Sequence, residues 1–169
     1  MVTWTLHRRD ADLSVRLCRE PPAGLTGERI CPLGLRVYAS AAYLERSAGL
    51  SFEKHAWLSV TELMQHSPPG RWMEEHVPVS NVVLRADSFV ALGNAVEAGM
   101  GVALLPCYLE QLHPGLVALG VPDPEIDISV WVLVHQDMQN AAPVRACLDH
   151  LARGLRSDSE QIAGHPRRL

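Results

Sequence analysis

The stretch that decides the fold is VVLRADSFVALGNAVEAGMGVALLPC, residues 82–107. It begins with a β-branched and apolar run at 82–84, which is typical of a buried strand. Apolar residues then recur at helical spacing from Phe89 to Met100, and a second apolar run at 102–105 ends at Pro106, which cannot donate to a sheet ladder. The order strand, helix, strand predicts a βαβ unit with a right-handed crossover between parallel strands.

Distinct residue types mark the two ends of the predicted helix. Asp87 and Ser88 can accept hydrogen bonds from the free N–H groups that open a helix, whereas Gly99 and Gly101 tolerate φ > 0 where it stops. In open α/β sheets, ligands bind beyond the carboxyl ends of the strands, where helix N-termini point. The helix start is therefore a candidate binding site with N–H groups, a hydroxyl and the ring of Phe89. In the simpler interpretation, Ser88 only caps the helix and Phe89 only fills the core.

Composition restricts the class of protein. The chain has 169 residues, enough for one domain or two small lobes, and its 47% hydrophobic and 20% charged residues are typical of soluble globular proteins. A net charge of −4 argues against a surface built mainly for nucleic-acid phosphates. No apolar run approaches the roughly 20 residues of a membrane span, and the N-terminal sequence does not resemble a secretory signal. We interpret the four cysteines as reduced thiols of a cytoplasmic protein, with a disulfide pair as the alternative; they are Cys18, Cys31, Cys107 and Cys147.

Outside the central unit, the apolar periodicity predicts further short strands and helices. Strands are predicted at 12–18, 25–30, 35–40, 56–60, 116–119 and 128–135, and brief helical segments at 41–47, 61–65, 71–75 and 108–112. In the first strand, Leu13, Val15 and Leu17 share one face. A longer helix is predicted from Pro143, with an apolar stripe formed by Val144, Cys147, Leu148, Leu151 and Leu155. Residues 67–70 are predicted to be a loop, and 157–169 a flexible, frayed tail.

The sequence contains no pattern typical of an enzyme or a metal site. None of the eight histidines shares a ligand-like spacing with another histidine or cysteine, and no nucleotide-binding or nucleophile motif occurs. Cys107 follows a predicted strand end, where a nucleophile can sit, but no base is placed beside it. We interpret Cys107 as a core or pocket-wall residue. We expect neither enzymatic activity nor a cofactor or metal.

Four segments, in this order, resemble the effector-binding domain of LysR-type transcriptional regulators. They are RRDADLSVRL (8–17), LRVYASAAYLE (35–45), LRADSFVALGNAVEAGMGVALLPCYL (84–109) and VWVLVHQDMQNAAPVRACLDHLA (130–152). The resemblance implies an α/β fold similar to that of type 2 periplasmic binding proteins, with two α/β lobes and a small molecule in the cleft. It assigns residues 1–35 and 109–156 to a first, incomplete lobe and residues 36–108 to a second lobe.

The resemblance also implies which residues bind the effector. In such regulators the positions of Ser88 and Phe89, and the one at Leu17, commonly line the pocket. Leu17 departs from several relatives, which have a polar or cationic residue there, so it indicates a different effector or an apolar wall. Together with Asp87 beside the helix start and Ser59 near a strand end, these are the predicted effector-binding residues. Free N–H groups at the helix start suit a small organic anion.

Two parts of such a regulator are missing from the sequence: the winged helix-turn-helix and the opening strand–helix–strand of the first lobe. We therefore expect an incomplete sensor, whether a fragment, a truncated product or a chain whose start codon was placed too far downstream. The expected function is effector sensing within a homo-oligomeric bacterial regulator, which binds DNA only through the missing winged helix. The alternatives are a stand-alone small-molecule-binding α/β protein and a small enzyme in which Cys107 pairs with a histidine or an acid.

Overall fold

The computed structural model describes residues 11–119 and 125–164, which form a mixed α/β fold as predicted. The strands in chain order are β1 (Leu13–Cys18), β2 (Leu25–Pro32), β3 (Leu35–Ser40), β4 (Trp57–Val60), β5 (Val82–Ala86), β6 (Val102–Pro106), β7 (Leu116–Ala118) and β8 (Ser129–His135). The α-helices are α1 (Ala41–Arg46), α2 (Glu62–Gln65), α3 (Pro68–His76), α4 (Phe89–Glu97), α5 (Ala142–Ser157) and α6 (Ser159–Ile162). Short 3₁₀ turns span Phe52–Lys54, Val79–Asn81, Cys107–Gln111 and Gln136–Met138. None of the helices in these ranges is long and apolar enough to cross a membrane.

Contacts divide the chain into two compact units, one within residues 1–33 and 127–169 and the other within 34–126. The second unit extends further along the chain than the predicted second lobe, which ends at 108. The described residues 109–119 belong to the second unit because β7 pairs antiparallel with β3, from Tyr38 opposite Ala118 to Ser40 opposite Leu116.

The first unit contains a three-stranded sheet in the order β1-β8-β2, with β8 antiparallel to both neighbours. The central strand β8 is the apolar core of this unit, and its Val132, Leu133 and Val134 are almost completely buried. Helix α5 packs against β2 and β8, and its Arg156 forms an ion pair with Glu28 on β2. Among the described strands, the last one therefore holds the first two together.

Two predictions for the first unit are wrong in detail, whereas β1 is present, and on its predicted apolar face Val15 is 48% and Leu17 39% exposed. On α5, Val144 and Ala152 are buried, but Cys147 is exposed and does not join the predicted stripe. The predicted frayed tail includes helix α6, which packs against β2 and buries Ile162 to 7% exposure. Residues 165–169 of that tail lie outside the described residues.

The second unit contains a five-stranded sheet in the order β5-β4-β6-β3-β7. Strand β4 is parallel to both β5 and β6, whereas β3 is antiparallel to β6 and β7. The predicted unit of β5, α4 and β6 is therefore present, with β4 inserted between its two strands. Helix α4 covers one face of this sheet, and the core beneath it is formed by Tyr38, Leu58, Val60, Leu92, Ala95, Val96, Ala103, Leu105 and Leu109.

Local chemistry changes two predictions for this unit. Residues 67–70 are not a loop, because Ser67 caps α3 by accepting a hydrogen bond from Gly70 N at 3.3 Å, and Pro68 occupies the first turn without losing a bond. Gly99 has the predicted positive φ, at 77°. Gly101 does not have a positive φ. A glycine is required there because a Cβ would lie 2.2 Å from Ala56 O.

Candidate functional site

The carboxyl ends of the parallel strands β4 and β5 form one edge of the second unit. The two ends are joined by a hydrogen bond of 3.0 Å from Thr61 N to Ala86 O. The chain continues from this edge into α2 after Thr61 and into α4 after Ser88. A ligand at this edge would meet the first turn of α4, which is where open α/β sheets bind ligands.

Three of the predicted effector-binding residues lie together at the start of α4. Ser88 is the N-cap in an extended conformation, and its Oγ accepts from Ala91 N at 3.5 Å, the outer limit of a hydrogen bond. Phe89 is the first helical residue and packs, half-buried, against the core under α4. Asp87 is exposed. Ser88 thus caps α4 and Phe89 packs against the core, as in the simpler interpretation, and a serine hydroxyl that accepts one bond still has its own proton to donate.

Thr61 is a feature of this edge that sequence reasoning missed. Its Oγ1 is buried without a hydrogen-bond partner among the described residues, although Thr61 occupies the N-cap position of α2. Buried hydroxyls nearly always have a partner, so an unpaired one beside a helix start is notable. The signal was present in the sequence, because Thr61 directly follows a predicted strand.

Ser59 does not lie with Ser88. Side chains alternate along a strand, and the flanking Leu58 and Val60 belong to the core under α4, so Ser59 points to the opposite face of the sheet. There it lines a small cavity beneath α2 and α3. Leu17 is on β1 in the first unit, opposite Val130 on β8.

The C-terminal end of α4 is held by a hydrogen-bond network. His113 is 5% exposed, and its Nδ1 lies 3.1 Å from Glu97 Oε2. Gly115 N donates to the other carboxylate oxygen at 3.0 Å. The bond from His113 and then that from Gly115 hold the pKa of Glu97 below its usual value. This network fixes the connection from α4 through β6 to β7.

The arrangement around Cys107 is that of a core residue. The thiol is 4% exposed and hydrogen-bonds to the Tyr38 hydroxyl, which also donates to Glu110 Oε1 at 2.5 Å. Burial, followed by these bonds, raises the pKa of Tyr38. Within the described ranges, no three His, Cys, Asp or Glu side chains are grouped as a metal site.

The family follows from a sequence comparison. A family model described as the LysR substrate binding domain matches residues 2–156. The chain belongs to this family. It is thus an effector-sensing regulatory domain of the LysR type, with the periplasmic-binding-protein-like type 2 fold, and domains of this family bind small-molecule effectors. The matched region does not include a DNA-binding domain.

Solved structures show the same fold at low sequence identity. The regulatory domain of CrgA, a LysR-type transcriptional regulator from Neisseria meningitidis, has a TM-score of 0.69 and 21% identity over 89% of this chain and 78% of that one. The effector domain of AmpR from Pseudomonas aeruginosa has a TM-score of 0.68 and 16% identity, over 94% of this chain and 78% of that one. The AmpR effector binding domain from Citrobacter freundii has a TM-score of 0.69 and 18% identity, over 91% of this chain and 79% of that one. No curated protein matches the chain.

Proposed function

We propose that this LysR-type domain binds a small organic anion at the first turn of α4. The observation that carries the proposal is that α4 begins at the carboxyl edge of β4 and β5 with Ser88 as its N-cap. The free N–H groups of the first turn and the positive end of the helix dipole attract an anion. Ser88 adds a hydroxyl, and Phe89 adds an aromatic edge beside it.

The regulatory mechanism is differential binding. An anion that binds one conformational state of the domain more tightly than another shifts the population toward the first state. The coupling is reciprocal, so any contact of the regulator with DNA that prefers the same state tightens anion binding by the same factor. We propose that the domain works in this way in the bacterial cytoplasm, within a homo-oligomer, and that a winged helix-turn-helix outside the matched region contacts the DNA.

Leu17 and Asp87 have different proposed roles. The side chain of Leu17 is partly exposed on β1 and offers an apolar contact rather than a polar one. Asp87 carries a negative charge next to the proposed anion site, so it limits affinity and disfavours ligands with several negative charges. An exposed charge of this kind is screened, and its effect is modest.

The test compares two serines that both cap helices. Ser88→Ala and Ser67→Ala each remove an N-cap, and each should lower the free energy of unfolding by about 1 kcal/mol. Thermal melts of the wild type and both variants are recorded with and without benzoate or succinate. We expect at least one anion to raise the melting temperature of the wild type and of Ser67→Ala, and this shift to be lost in Ser88→Ala. An equal shift in all three proteins would remove Ser88 from the site.

The sign of the ligand charge has its own test. Asp87→Asn removes the negative charge at the helix start and should tighten the binding of whichever of those anions binds, by roughly twofold to threefold at low ionic strength. Isothermal titration at two salt concentrations measures the change. Weaker binding in Asp87→Asn would contradict an anionic effector and indicate that the carboxylate itself contacts the ligand.

A further inference from the structure

A small cavity lies on the face of the second unit's sheet opposite α4. It is bordered by α2 and α3 on one side and by β4 and β5 on the other, and it is open to solvent, since its lining residues Val79 and Arg85 are exposed. The cavity volume is about 30 Å³. This space holds one or two waters or a ligand of a few atoms, whereas drug-sized ligands occupy about 300–1,000 Å³.

The polar wall of the cavity contains an unused hydroxyl. Ser59 is 4% exposed, and its side chain forms no hydrogen bond with any described residue. The hydroxyls of Ser14 and Thr61 are also buried without a partner among the described residues, but of these three serines and threonines it is Ser59 that lines the cavity. A buried hydroxyl without a protein partner needs a water or a ligand to satisfy it.

A cation lies next to this hydroxyl. Ser59 and Arg85 are register partners on the parallel strands β4 and β5, so their side chains stand side by side on the same face. The guanidinium donates from Nη1 to Val60 O at 3.1 Å and forms no ion pair within the described residues. Most of its five N–H donors remain available, and a guanidinium matches a carboxylate in two-point geometry.

The remaining lining residues restrict the chemistry of the rest of a carboxylate ligand. Met73, Val77, Val79 and Val82 form an apolar lining, which suits a short aliphatic chain. Glu74 lines the same cavity and accepts a hydrogen bond from Gln65 Nε2. This carboxylate opposes the binding of any anion in the cavity, and the single cation Arg85 offsets it for a ligand with one negative charge rather than two.

We infer that the cavity is a binding site for a short aliphatic monocarboxylate, with Ser59 and Arg85 holding the carboxylate and the valines holding the chain. The site is separate from the anion site proposed at the start of α4, since it uses the other face of the sheet. It assigns a role to Ser59 that differs from contact with the effector at Ser88.

The test follows the backbone amides of the full 169-residue chain by NMR during titration with propionate. Propionamide, which is neutral, and succinate, which has two charges, are titrated at the same ionic strength. We expect propionate to shift the amides of β4 and β5 around residues 59 and 85, with at least tenfold weaker effects from propionamide and succinate. Equal effects of propionate and propionamide would overturn the role of Arg85.

Variants separate this site from the one at α4. Ser59→Ala and Arg85→Gln should each weaken propionate binding at residues 59–85 at least tenfold, whereas Ser88→Ala and the matched control Arg71→Gln on α3 should leave it unchanged. Circular dichroism melts show whether each variant is folded. Propionate shifts confined to residues 87–91 would overturn this inference while supporting the proposed function. Shifts at 59–85 that persist in Arg85→Gln would also overturn it.

Discussion

At the scale of single residues, Tyr43 is the side chain on which the start of β4 depends. Its Oη accepts from Ala56 N at 2.8 Å and lies 3.3 Å from Nδ1 of His55, which is 6% exposed. Burial lowers the pKa of His55 and so favours its neutral ring, whose Nδ1 hydrogen-bonds to the Tyr43 hydroxyl. One phenol oxygen therefore satisfies a backbone donor and a buried imidazole together.

Tyr43→Phe should lower the free energy of unfolding by about 1–3 kcal/mol, because it leaves two buried polar groups without a partner. Denaturant unfolding measures the loss. Tyr108→Phe is the matched control, since Tyr108 is half-buried and forms no hydrogen bond with the described residues. A similar loss in both variants would show that removal of any buried hydroxyl, and not this hydrogen-bonded one, is responsible.

His55 should also make the fold sensitive to acid. Its folded pKa lies below the ordinary value of 6.5, so the folded state favours the neutral ring. This contribution is fully present above about pH 6.5 and is lost as the pH falls through the folded pKa. We expect the denaturation midpoint to fall between pH 7 and 5 in the wild type and to fall less in His55→Asn, whose amide oxygen can replace Nδ1. Parallel pH profiles for the two proteins would contradict this role.

At the scale of elements, α4 is fitted to its neighbours by glycines as well as by apolar side chains. A Cβ on Gly93 would lie 2.8 Å from Cδ2 and Nε2 of His113. The ring cannot move away freely because its Nδ1 is held by Glu97. Gly93 is thus retained in the middle of a helix, where glycine normally costs about 1 kcal/mol relative to alanine.

The effect of Gly93→Ala on the free energy of unfolding should therefore have opposite signs with and without the side chain of His113. In the wild type we expect a loss of about 1–3 kcal/mol in the free energy of unfolding, because the new methyl group displaces the His113 ring. In a His113→Ala background the same substitution should stabilise the chain by up to about 1 kcal/mol. A double-mutant cycle measures the coupling, and additive effects would exclude the proposed collision.

The elements also show how far the sequence could be interpreted without the structure. Alternation and helical periodicity predicted β5, α4 and β6, and the capping residues predicted the position of Ser88. The need for glycine at positions 93 and 101 could not be predicted, because their neighbours His113 and Ala56 are close only in the folded chain. The orientation of Ser59 was also missed, since it depends on which face of β4 is covered by α4. A single sequence shows periodicity, but it does not show which face of a sheet another element will cover.

At the scale of the whole molecule, the two units differ in how well their strands are covered. In the second unit, β3, β4 and β6 are interior strands with fully buried residues such as Tyr38, Trp57 and Leu105. In the first unit, β1 is an edge strand with Val15 and Leu17 exposed. Edge strands with few buried contacts open more readily than interior ones.

Hydrogen exchange should therefore be uneven across the chain. We expect peptides covering 13–18 to exchange faster than those covering 129–135, and those covering 102–106 to be the slowest. Mass spectrometry of the native 169-residue chain measures the three rates. Equal protection of β1 and β8 would show that β1 is covered by contacts beyond those of the described residues.

The position of β8 in the first sheet has a consequence for biosynthesis. β1 and β2 pair with β8, which leaves the ribosome about a hundred residues after β1. The second unit is continuous in the chain, so it can fold while the nascent first strands still await their partner. During that interval the apolar side chains of β1 and β2 are available to chaperones. Translation must pass residue 135 before β1 and β2 can complete their sheet.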